Sequence, residues 1–80
     1  MTGQVKVVTS RGYGFIETRE HIDFFFHFTQ WSGGNWKQLL QRYILGEMIH
    51  VTFEPDKESK NGPKALNVKE IPSNSIQPIG

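Results

Sequence analysis

Apolar residues along the first third of the chain alternate with polar ones and then crowd together. Val5, Val7 and Val8 give the stretch from Gly3 to Val8 a β-branched character that predicts a first strand. After the short connection "TSRG", Tyr13 and Phe15 fall on one face of a second strand, Tyr13 to Thr18, and Ile16 on the other. A polar turn leads to a third strand, Asp23 to Phe28, where Phe25 and His27 alternate with Phe24, Phe26 and Phe28. Two strands joined by so few polar residues predict an antiparallel hairpin. A half-buried strand usually keeps one face polar. Here both faces of the hairpin are aromatic or aliphatic.

The pattern changes after Phe28. The segment "SGGN", flanked by Trp31 and Trp36, predicts a mobile loop. Beyond it Trp36, Leu39, Leu40 and Tyr43 recur at helical spacing, so "WKQLLQRYIL" predicts a few helical turns. In "EMIHVTFE", Ile49, Val51 and Phe53 alternate with His50 and Thr52, the mark of a fourth strand with one face in a core. "PDKESKNGP" is a polar loop with an Asn-Gly turn signal. A fifth strand follows from Lys64 to Ile71, packed through Ala65, Leu66 and Val68. The remainder, residues 72–80, has no periodicity and is expected to be a flexible C-terminal tail. The expectation is an all-β fold over residues 1–71. It is a five-stranded antiparallel barrel of the oligonucleotide/oligosaccharide-binding type (OB-fold), with a long loop or short helix between strands three and four. Such barrels commonly hold their ligand on strands two and three.

Size sharpens the question of the second face. A chain of 80 residues makes one domain with a thin core. It cannot enclose two large apolar layers, so one hairpin face is a candidate binding surface. Aromatic rings in a small β domain are most often core, and spacing alone leaves both readings open. The formal net charge is only +1, from nine Lys and Arg against eight Asp and Glu. Binding to a polyanion would therefore rest on stacking more than on charge, with a shallow salt dependence. There is no cysteine, which excludes disulfides and thiolate-held zinc. No apolar run approaches the length of a membrane span, and "MTGQVKV" has no signal-peptide profile, so a cytoplasmic protein is expected.

Aromatics at every second position of two adjacent strands make a row of flat platforms for unstacked bases. Tyr13, Phe15, Phe25 and His27 have that spacing. Gly12 and Gly14 flank Tyr13 and are expected to let a backbone or base approach. Lys6 and Arg11 lie close enough in the chain to meet phosphates, whereas Lys64 borders an acidic loop and reads as a solvated side chain or an additional contact. A metal site is not expected: Asp23 and His27 are about 13 Å apart at the usual strand rise. Ser10, Ser32, Ser59, Ser73 and Ser75 have no evident base and orienting acid, so no enzyme and no cofactor are expected.

With these residues in view, the chain resembles the cold-shock domain family. "RGYGFI" is similar to its first ribonucleoprotein motif and "DFFFHF" to its second. "GQVKVV", "GEMIHVTF" and "NGPKALNV" resemble its first, fourth and fifth strands. The resemblance implies a barrel that binds single-stranded RNA or DNA as a chaperone or regulator of gene expression. It carries stacking roles to Tyr13, Phe15, Phe25, His27, Phe28 and Trp36, and basic contacts to Lys6 and Arg11. Trp31 stands where the family usually has an aliphatic residue, as a barrel-closing side chain or a further platform. Three departures stand out. Val7 and Val8 replace a first-strand Trp and Phe, which implies weaker binding or a shorter site. The turn before Arg11 is shorter. A few extra residues lie between Leu40 and Gly46. The alternative function is a protein-interaction or self-association module using the same aromatic face. A monomer is expected, with strand exchange between two copies open through the "SGGN" loop.

Overall fold

The structure, a computed structural model, describes residues 1–72. Ser73 to Gly80, nearly all of the expected tail, lie outside the described residues. Five strands make one antiparallel sheet: β1 (Thr2–Val8), β2 (Tyr13–Glu17), β3 (Asp23–His27), β4 (His50–Pro55) and β5 (Ala65–Glu70). A 3-10 turn, Phe28–Gln30, and the helix α1 (Trp36–Ile44) connect β3 to β4. The strand order is β3-β2-β1-β4-β5. Its two outer strands then meet, because the Phe25 N–H donates to the Pro63 carbonyl at 3.0 Å and the Ser32 N–H to the Val68 carbonyl at 2.8 Å. The sheet is thus curled into a barrel, as an OB-fold requires.

Alternation fills the interior. Val5, Ile16 and Phe24 form one inward rung across β1, β2 and β3, and Val8, Gly14 and Phe26 form the next. Ile49, Val51 and Phe53 enter from the opposite wall, and Ala65 and Val68 from β5. Between Val5 and Val7 the register of β1 slips by one residue. Such a bulge lets both Val5 and Val8 point inward while Lys6 is left on the surface. Gly14 has a different purpose from the one its position beside Tyr13 suggests. A Cβ there would lie 2.4 Å from the Val7 carbonyl and 2.7 Å from the Phe26 ring. The residue is glycine because the core is tight, not because a ligand must come close.

Several element ends differ from expectation. Alternation in β3 stops at His27, and Phe28 turns into the 3-10 segment with its ring against Gly12. β4 begins at His50 rather than Glu47, since Glu47 is held by Arg42 and the chain from Gly46 to Ile49 is needed as a connection. The helical spacing was legible: Asn35 caps α1 by accepting from the Lys37 N–H at 2.8 Å, and Leu39 is buried beneath it. Near its end, the Arg42 guanidinium donates to Glu70 at 2.8 Å and to Glu47 at 3.0 and 2.9 Å. One side chain so pins the helix to β5 and to the connection that leads into β4.

Candidate nucleic-acid interface

The register places the outward-facing side chains of β2 and β3 in three rungs. Tyr13 lies opposite His27, Phe15 opposite Phe25, and Glu17 opposite Asp23. The four aromatic members are half-buried, whereas Ile16 and Phe26 of the other face have no exposure. Tyr13 and Phe25 are stacked with ring centroids 5.5 Å apart and planes at 24°. Phe15 stands edge-on to both, at 6.2 and 5.8 Å. The rings support one another and leave part of each surface open to solvent. Val7 extends the middle rung on β1, beside Phe15. Lys64 extends it on the other side, bridged to Phe25.

His27 and Phe28 form the upper rim of this face. Their rings lie 4.6 Å apart, and Phe28 is 49% exposed. The His27 Nδ1 lies 2.9 Å from the Thr29 hydroxyl, which fixes the imidazole at the mouth of the 3-10 turn. Gly12 has φ of +93° and carries the ring of Phe28 directly over it, a placement that a Cβ would obstruct at 2.9 Å. Below the hairpin's open side, Phe15, Phe25, Asp23 and the loop residues Ser59, Asn61 and Lys64 line a groove of about 420 Å³. It has an aromatic floor and polar walls.

The basic residues are less uniform. Arg11 is exposed in the β1–β2 turn. Lys6 is exposed too, but its ammonium lies 3.3 Å from Asp23 and 3.7 Å from Glu17. The hydrogen bond and charge of Asp23, and then the charge of Glu17, hold the Lys6 ammonium above its ordinary range. A phosphate reaching Lys6 must therefore compete with two carboxylates.

The two tryptophans stand apart from the aromatic rungs. Trp31 is 8% exposed and its backbone pairs with Val68, so it occupies the barrel-closing position. Trp36 opens α1 instead of hanging in a loop. Its ring meets Phe26 edge-on at 5.5 Å, and its indole N–H donates to the Thr9 carbonyl at 2.9 Å. It is half-buried and tethered beside the β1–β2 turn. Sequence reasoning overlooked the Lys6 ion pairs. Lys6 and Glu17 belong to strands whose register depends on the bulge, and no local signal reports it.

A model of the "'Cold-shock' DNA-binding domain" family matches residues 1–71. The chain belongs to this family. It is also 36% identical over 72 residues to the cold shock-like protein CspE of Bacillus anthracis, covering 89% of this chain and 97% of that protein. A cold-shock domain is a nucleic-acid-binding module, and five antiparallel strands with a short helix between β3 and β4 are consistent with an OB-fold. Among the described residues, no helix is long and apolar enough to cross a membrane.

Proposed function

We propose that this cold-shock domain binds single-stranded RNA or DNA by stacking bases on Tyr13, Phe15, Phe25, His27 and Phe28, without turnover, and acts as an RNA chaperone. The observation that carries the reading is the paired-rung face. Rings that are half-buried and mutually supported, outside an already filled core, present flat surfaces at little ordering cost. Each base stacked on such a ring contributes about 1–3 kcal/mol, with little dependence on sequence. Few basic residues surround the face, so the affinity stays moderate, and a chaperone of this kind must release its strand as readily as it takes it. Trp36 contributes as a fixed wall near Thr9, and Arg11 and Lys64 as phosphate contacts at the rim.

The test is a titration of fluorescently labelled oligouridine and oligothymidine followed by anisotropy. Saturable binding by the parent is expected. The Phe15→Ala/Phe25→Ala double variant, folded by near-ultraviolet dichroism, is expected to lose it. Equal binding by a folded double variant, or none by the parent at low salt, would overturn the stacking site.

A further inference from the structure

The outward rung below the aromatic ones does not stop at β2. Asp23 pairs with Glu17, Glu17 with Gln4, and Gln4 with His50, so one row of polar side chains crosses β3, β2, β1 and β4. At its β1–β4 end this row opens into a groove of about 630 Å³, lined by Gln4, Glu17, Arg19, His21, His50 and Thr2 among others. The groove touches the aromatic face through Glu17, which lies beside Lys6. Its walls supply a guanidinium, an amide, two imidazoles and the hydroxyls of Thr2 and Thr18, all able to donate, against the single carboxylate of Glu17.

The turn that builds one wall is held in an unusual state. The Thr18 N–H donates to the Ile22 carbonyl at 3.0 Å, and the His21 N–H to the Thr18 carbonyl at 2.9 Å. Thr18 is buried, and its hydroxyl accepts from the Ile22 N–H at 3.3 Å. Within this tight turn His21 has φ of +63°, the left-handed region in which a residue with a Cβ is disfavoured. Glycine would fit with less strain. The strained backbone instead brings the His21 Nδ1 to 3.6 Å from the Glu17 carboxylate, on the lip of the groove.

We infer that this groove is a second subsite, in which Arg19, His21, His50 and Gln4 hold the sugar-phosphate backbone of a strand that continues past the aromatic rungs. The inference rests on the stacking reading and extends it. Val7 gives no platform of its own on β1, so the strand leaves the stacked rungs there and is held beyond them by backbone contacts. A polar extension of this kind lengthens the footprint while adding little base preference.

The experiment compares oligouridines of about 4 and about 8 nucleotides, both within the range that one OB barrel covers. Binding to the parent, Arg19→Ala, His50→Ala and His21→Gly is measured at several salt concentrations. For the longer strand, Arg19→Ala is expected to weaken binding about five- to tenfold and to reduce the salt slope by about 1. The shorter strand is expected to bind all four proteins alike. His21→Gly is expected to melt at or above the parent temperature and yet bind the longer strand less tightly, an outcome that a merely structural turn would not give. Equal affinity of the longer strand for the parent and the variants would overturn the groove and leave the stacking site standing. Failure of both strands to bind the parent would overturn both.

Discussion

At the scale of single residues, the hairpin divides one run of rings between two faces. Phe24 and Phe26 have the same side chain as Phe25, but they point inward and are buried. Phe25→Ala alone is expected to weaken oligouridine binding by about 1–3 kcal/mol, roughly five- to 150-fold, as anisotropy would register. Gly14→Ala should act in the opposite manner. It places a methyl group against the Val7 carbonyl and the Phe26 ring, and overpacking of this kind costs about 1–3 kcal/mol. Urea denaturation should show the loss. The binding of whatever fraction remains folded should be unchanged.

At the scale of elements, Arg42 determines how α1 sits. Hydrogen bonding by Arg42, followed by its charge, holds the Glu70 carboxyl below its ordinary range against the opposing effect of partial burial. A carboxyl whose pKa is lower in the folded state stabilises the fold above its unfolded value, about 4.3, and loses that contribution as pH falls through the folded value. The pair is partly exposed, so the contribution is below about 1 kcal/mol. Glu70→Gln is therefore expected to lower the melting temperature at neutral pH and to leave it nearer the parent's under acid conditions. Melting curves at the two pH values would decide it. The end of the same helix leaves Ile44, Leu45 and Met48 at 70%, 82% and 66% exposure, an apolar edge separate from the aromatic rungs.

At the scale of the whole molecule, closure and charge govern behaviour. Trp31 lies at the seam where the chain after β3 meets β5. Trp31→Ala is expected to cost about 3–5 kcal/mol, much of the roughly 4–12 kcal/mol available to a domain of this size. Chemical denaturation would measure it. A net charge of +1, with Lys6 already paired, implies few released counterions. For a short oligouridine, the two phosphate contacts proposed at the rim correspond to a slope of about −1.4 in log affinity against log salt. A basic protein that grips the backbone along its length would show a much steeper line.

The number of strands, the β2–β3 hairpin, the helix from Trp36 and the family signature were all legible in the sequence. Each is written locally, in the period of apolar residues, in turn residues and in short motifs. So were the residues of the aromatic face, because alternation alone assigns Tyr13, Phe15, Phe25 and His27 to one side. Three matters were decided by tertiary structure: which side is core, what Gly14 accommodates, and how the polar rung continues to His50. They depend on the bulge in β1, on closure through Trp31 and on pairing between strands far apart in the chain. A one-residue slip in register changes every neighbour of a side chain. No local pattern reveals such a slip. The sequence by itself determined which rings share a face and which elements carry them, and only the folded barrel decided what stands beside each one.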